Sequence, residues 1–349
     1  MINFGDKKTI LVILDGVSEE RIIELNNLTP LEYAFTPTID KIKWKGDHSK
    51  IVFYPDNRDP DSMTCILSML GVEESIIPRN RAYLEAISSN INVNEEEVVM
   101  RCNLVRIKDN KLESFNGEGL SKYDMDCLSH SVKIGGDMRF YHISGYRNLL
   151  VLKKSREIIE LPDLPPHENM GRNIESLTKD ALQIEGLSKF IKDNKFAFND
   201  NQYMFFPWGV SEVVELPSFE ELHGKRCSLI CCAEIVKGIG KAMRIRLPDL
   251  KNSTADTDTD LKEKARIVIE EIETHDVVIA HINGTDEVSH RKDIKGKVSF
   301  IERVDKEFIS EIYNNTRDIR LIIASDHQTS TITGRHQKGP VDVICNEML

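Results

Sequence analysis

Three apolar runs constrain this chain more than any other feature: TILVILDG at residues 9–16, DVVIAHING at 276–284 and RLIIASDH at 320–327. Each is short, rich in Val and Ile, and ends on Asp, Asn, Gly or His. None shows the polar alternation of a strand with one wet face, so each reads as a strand buried on both sides. LKEKARIVIEEIE (261–273) has helical spacing and precedes the second run; GKVSFIERVDKEFISEIY (296–313) does the same before the third. Helices alternating with buried strands predict an α/β fold, a parallel sheet flanked by crossover helices.

The middle of the chain follows another pattern. Between about 77 and 218, short β-like runs (EVVMRCNLVRI, LLVLKK, QYMFFPWGV) stand among polar and Pro-containing stretches such as LPDLPPHENMGR. This predicts a smaller α+β domain at 77–218, inserted into a first domain made of 1–76 and 219–349. KNSTADTDTD (251–260) reads as a polar loop. With a formal net charge of −11 and a pI near 5.5, the chain lacks the basic footprint of a nucleic-acid binder. A small anionic substrate remains compatible with a local basic or metal site. The seven cysteines contain no CxxC pair, which predicts reduced packing thiols in a cytoplasmic protein. MINFGDKKTILVILDG lacks the order of a signal peptide, and its apolar run is too short to span a bilayer, so no membrane partner is expected. The sequence leaves the oligomeric state open.

In open α/β sheets ligands lie beyond the carboxyl ends of the strands. Asp15, Asp286 with His290, and Asp326 with His327 fall at or just past those ends, and His336 follows nine positions later. Singly, each has an ordinary role in a turn, a cap or a surface. Together they bring three carboxylates and several imidazoles to one sheet edge, and mixed oxygen and nitrogen donors suit Mn²⁺ or Zn²⁺ better than Ca²⁺. The spacing in DEVSH places Asp286 and His290 on one face of a helical turn. The donors outnumber what one catalytic ion with open positions needs, so two divalent ions are expected. Paired ions stabilise the attacking and leaving oxygens of phosphoryl transfer. A nucleophile is offered by NRDPDSMTCILSMLG (57–71), where Met63, Ile66, Leu67 and Leu70 recur at helical spacing after Ser62. Ser62 then starts a helix, where its ordinary role is the N-cap. A hydroxyl at that position also faces the positive end of the helix.

ILVILDGVSE, NNLTPLEYAFTPTIDKI, DSMTCILSMLG, LPPHENMGR, LPSFEELHGKRCSLICCAEIVKGIGKA, HINGTDEVSH and SDHQTSTITGRH occur in this order over nearly the whole chain. In these blocks the chain resembles the archaeal-type cofactor-independent phosphoglycerate mutases, a branch of the alkaline-phosphatase superfamily. The resemblance implies an alkaline-phosphatase-like core with an inserted domain that covers the substrate, and two divalent ions, Mn²⁺ or Zn²⁺. Asp286, His290 and His336 would hold one ion; Asp15, Asp326, His327 and the nucleophile Ser62 would hold the other. It further implies transfer between the 2- and 3-positions of phosphoglycerate through phosphoserine. Arg81, Arg101, Arg147, His167 and Lys237 are the implied substrate contacts. The chain departs from the family pattern at Asp61-Ser62-Met63, at NRAYLEA, in the acidic VSEVVE after FPWG, and at HQKGPVDV. The expected substrate is a small phosphorylated metabolite, phosphoglycerate first. The alternatives are hydrolysis or transfer of phosphate on another such metabolite, and a non-catalytic binding protein, against which the complete donor set argues.

Overall fold

The computed structural model describes residues 1–347; Met348 and Leu349, at the end of the expected 219–349 segment, lie outside it. The chain forms two compact units, Met1–Ile77 with Glu215–Leu349, and Pro78–Val214.

The first unit is built on a six-stranded sheet of β1 (Thr9–Leu14), β2 (Asp47–Ile51), β3 (Cys227–Ile230), β4 (Val277–Ile282), β5 (Arg320–Ala324) and β6 (Val341–Cys345), in the spatial order β2-β6-β5-β1-β4-β3. β5, β1, β4 and β3 are mutually parallel, whereas β6 pairs antiparallel with β5 and β2 antiparallel with β6 at the other edge. Every residue of β1, β4 and β5 is buried, which is why all three read as unbroken apolar runs. Their register places Leu14 level with Ile282, and Ile13 level with Ala324. The residues that follow these strands therefore emerge together at one edge.

Five helices matter for the site: α1 (Ser62–Met69), α2 (Glu234–Ala242), α3 (Leu261–Thr274), α4 (Gly284–His290) and α5 (Ile294–Val304). Leu261, Ala265, Val268 and Ile272 of α3, with Phe300, Ile301 and Val304 of α5, pack with Ile10, Val12 and Val278 in one core. Each such Val, Leu, Ile or Phe side chain contributes about 1.5–3 kcal/mol on full burial. The helix expected over 296–313 is interrupted by a π-helical turn at Asp305–Ile309 before resuming at Ser310–Asn315. Asp305 in that wide turn accepts hydrogen bonds from the Thr38 and Ile39 amides at 3.1 and 2.7 Å. It thereby caps the helix Pro37–Lys45, whose own N-cap residue, Thr36, supplies no side-chain bond.

The second unit is an antiparallel sheet in the order Arg139–Ser144, Arg147–Lys153, Glu97–Lys108, Asn201–Glu212, Lys195–Phe198, with helices such as Lys122–His130 and Glu185–Asp193. Its core gathers Leu104, Leu150, Leu187, Phe190, Tyr203 and Phe205. All seven cysteines are free; five are buried, but Cys127 is exposed and so departs from the expected packing role. Among the described residues no helix is long and apolar enough to cross a membrane.

Candidate metal centre

The aligned strand ends determine what meets at the sheet edge. Asp15 follows β1, its amide bonded to Ile282 O at 3.0 Å, and its side chain is buried. Gly16 then turns the chain at φ +60°, where a Cβ would strike the Thr329 hydroxyl and the Asp286 carboxylate. Its amide donates to Asp326 Oδ1 at 3.1 Å. On α4 the four-residue spacing brings His290 Nε2 to 3.1 Å from Asp286 Oδ2. After β5, Asp326 and His327 lead into a hairpin of Gln328–Ser330 and Arg335–Gln337, which returns His336 to the same place. His336 Nε2 lies 3.5 Å from Asp286 Oδ1, and its ring centroid is 4.0 Å from that of His327 and 5.1 Å from that of His290.

Ser62 is the first residue of α1, but it is not the N-cap. Asp61 fills that role, accepting from the Met63 and Thr64 amides at 3.0 and 3.2 Å and from the Thr64 hydroxyl at 2.6 Å. The carboxylate beside the serine is thus turned into its own helix. Ser62 Oγ is left free of capping and stands 3.2 Å from His327 Nε2.

The three imidazoles share one arrangement. His290 Nδ1 meets Gly334 O at 2.9 Å and His336 Nδ1 meets Pro60 O at 3.0 Å. Carbonyl oxygens only accept, so both Nδ1 atoms carry the hydrogen and both Nε2 atoms turn inward. His327 Nδ1 lies 3.1 Å from Thr329 Oγ1, with its Nε2 3.4 Å from Asp15 Oδ1 and 3.5 Å from Asp326 Oδ2. Fixing the outer nitrogen of a histidine in this way is how metal ligands are oriented.

The electrostatics are those of a site short of positive charge. Burial, then the neighbouring Asp326 carboxylate, push the Asp15 carboxyl well above its usual range. Burial also works against ionised Asp286, but the facing imidazoles of His290 and His336 carry it well below the usual carboxylate range. The hydrogen bond to Asp286 raises His290 to about 9, while burial lowers His327. Asp15 Oδ1, Asp326 Oδ2 and His336 Nε2 are buried with no hydrogen-bond partner. An unpartnered buried carboxylate oxygen costs several kcal/mol, and a cation removes that cost.

Two sets of donors fit this demand: Asp15, Asp326 and His327, and Asp286, His327 and His336, the ligand atoms of each lying within 4.8 Å of one another. All seven residues expected at the metals (Asp15, Ser62, Asp286, His290, Asp326, His327, His336) are therefore gathered in the first unit. His290 stands just outside the tighter sets, attached through Asp286. His281 was not expected there. It lies on β4, 1% exposed, its Nε2 3.1 Å from Asp15 Oδ2, with neither ring nitrogen in a hydrogen bond. Burial lowers it to about 4, so its ring is neutral. Its signal in the sequence is a lone imidazole inside the apolar run VVIAHI.

The expected substrate contacts divide between the units. Lys237 sits half-buried on α2, within electrostatic reach of Cys231 and Cys232. Arg81, Arg101, Arg147 and His167 belong to the second unit. Arg81 Nε and Arg101 Nε share the Glu85 carboxylate at 3.2 and 3.0 Å. The Arg101 guanidinium lies 4.5 Å from the centroid of the Trp208 ring. A chain of rings continues from Trp208 to His167, Phe115 and Tyr146, over which Arg147 sits at 5.8 Å. Arg101, Arg147 and His167 thus stand along one run of aromatic rings, and Arg81 joins Arg101 through Glu85.

A profile described as the Metalloenzyme superfamily matches residues 7–348. The chain belongs to the metalloenzyme superfamily. This metalloenzyme is 25% identical to the 2,3-bisphosphoglycerate-independent phosphoglycerate mutase of Methanopyrus kandleri, over 97% of the chain and 87% of that protein. Its fold is that of a solved protein from Pyrococcus horikoshii (TM-score 0.75, 21% identity, 97% of this chain and 87% of that one). It is also that of the cofactor-independent phosphoglycerate mutase from Thermoplasma acidophilum (TM-score 0.59, 16% identity, 97% and 89%). The resemblance read from the sequence is borne out, as is the α/β architecture of the metalloenzyme core.

Proposed function

We propose that this metalloenzyme interconverts 2-phosphoglycerate and 3-phosphoglycerate through phospho-Ser62. The observation that carries the reading is the uncapped Ser62 hydroxyl, 3.2 Å from His327, the imidazole shared by two donor sets for divalent ions. The curated relatives bear the matching name. Asp15, Asp326, His327 and Ser62 would hold one Mn²⁺ or Zn²⁺, and Asp286, His290 and His336 the other. Bound there, two such ions supply positive charge to the transferring phosphoryl group and to both oxygens that exchange it.

The chain's own groups do the rest. Ser62 Oγ gives up its proton and bonds to phosphorus as the bond to the substrate oxygen breaks and that oxygen takes a proton. The reverse step delivers the group to the neighbouring hydroxyl. Asp61 accepts from two amides and a hydroxyl of its own helix, which offset part of its charge beside the serine. Arg81, Arg101, Arg147 and His167 have the chemistry to recognise carboxylate and phosphate, bidentate for the arginines. Lys237 offers a further cation.

The test is Mn²⁺-loaded protein given 3-phosphoglycerate. Appearance of 2-phosphoglycerate without 2,3-bisphosphoglycerate, with acid-stable phosphoserine in the wild type and none in Ser62→Ala, is expected. Turnover in Ser62→Ala overturns the nucleophile; free phosphate in place of 2-phosphoglycerate overturns the mutase in favour of a phosphohydrolase.

A further inference from the structure

We infer that Thr329 is a positioning residue that joins the two donor sets, fixing the proton of His327 and the carboxylate of Asp286 with one hydroxyl. The inference rests on the reading that these sets hold divalent ions, and it follows from counting hydrogens. A threonine hydroxyl has one hydrogen to donate and accepts through its lone pairs. Thr329 Oγ1 lies 2.7 Å from Asp286 Oδ1 and 3.1 Å from His327 Nδ1. Asp286 also faces the imidazoles of His290 and His336, so its carboxylate is the acceptor and the Thr329 hydrogen points to it. The remaining contact closes only if His327 Nδ1 carries hydrogen and donates to Thr329. His327 Nε2 then bears the lone pair, directed to where Ser62 Oγ, Asp15 Oδ1 and Asp326 Oδ2 converge.

The hydroxyl is held so that no alternative geometry competes. Thr329 is fully buried, and a β-branched side chain has few rotamers. Its amide donates to Ser18 O at 3.1 Å, and its carbonyl accepts from Lys297 Nζ at 2.9 Å. Gly16 packs so closely that any Cβ there would enter the Thr329–Asp286 bond. Across the hairpin Thr329 pairs directly with His336. One residue thus touches Asp286 and His327 through its hydroxyl and faces His336 through its backbone.

The experiment compares wild type, Thr329→Val and Thr329→Ser as full-length protein. In metal-free wild type, ¹⁵N NMR of the imidazoles is expected to show His327 protonated at Nδ1; protonation at Nε2 overturns the inference without any variant. Thr329→Val keeps the volume and removes the hydroxyl. It is expected to mix the His327 tautomers and to weaken Mn²⁺ binding at both sites by about 10–100-fold, the usual effect of losing an outer partner of a ligand. Thr329→Ser is expected to restore both. A folded Thr329→Val protein with unchanged Mn²⁺ affinities, or with His327 still wholly Nδ1-protonated, overturns the inference. The tautomer is read without metal or substrate, so an absence of mutase turnover leaves this result standing and is told apart from it.

Discussion

Lys297 and Glu19 form an ion pair of 3.0 Å with both side chains buried, and replacing Lys297 with Met tests how much of the metal-site hairpin depends on it. Lys297 Nζ also donates to Thr329 O. The other Glu19 oxygen accepts from the Thr331 amide and hydroxyl. The pair thus anchors the first strand of the hairpin that carries His327 to His336. Removing one partner leaves a charge buried without compensation, which costs about 3–5 kcal/mol. For a unit of this size each kcal/mol shifts the melting temperature by about 2–4 °C, so Lys297→Met is expected to lose roughly 6–20 °C. Calorimetry of metal-free protein reads this directly. The double variant Glu19→Gln/Lys297→Met, which removes both charges and keeps the acceptor for Thr331, is expected to recover more than half of the loss. A single variant melting within about 2 °C of wild type, or a double variant no better than the single, refutes the reasoning.

Chelation should destabilise the first unit, because ions bind the folded donor sets and not the unfolded chain. At about 1,000 times the dissociation constant one ion contributes about 4 kcal/mol, so Mn²⁺-loaded and chelated samples should melt at least 8 °C apart; identical melting refutes an occupied site. In metal-free protein His290 is raised to about 9 by its bond to Asp286, and a raised histidine stabilises the fold most below its ordinary value. That stability should fade between about pH 6.5 and 9, by a fraction of the full shift because the side chain is 41% exposed. His290→Asn should flatten the pH dependence of melting across that window; an unchanged slope refutes the pairing.

The strands that carry Asp15, Asp286 and Asp326 were legible because burial on both faces makes them almost wholly apolar, His281 being the one polar residue between their ends. Their common register then follows from parallel pairing. The edge strand DHSKI was not legible: it is only partly buried and has no apolar pattern. The π turn at Asp305 was hidden as well, since a single widened turn leaves helical spacing on either side unchanged. At the site, Asp–His spacing made the donors visible. The cap falls on Asp61 and not on Ser62, because both residue types cap helices and only the backbone decides between them. Thr329 had no pattern to mark it, and His281 only the lone imidazole in an apolar run. Their roles come from what the fold places beside them: an imidazole and a carboxylate in one case, a single carboxylate in the other.

His327 Nε2 belongs to both donor sets, yet a neutral imidazole has one lone pair and can give it to one cation only. The ion beside Asp15 and Asp326, two buried carboxylates with few other partners, has the stronger claim. Its neighbour must then complete its shell elsewhere, and the next nitrogen on Asp286 is that of His290. Filling the first position thus decides the composition of the second. The two ions should load in order rather than independently, and the order is set by the arithmetic of electron pairs at one nitrogen.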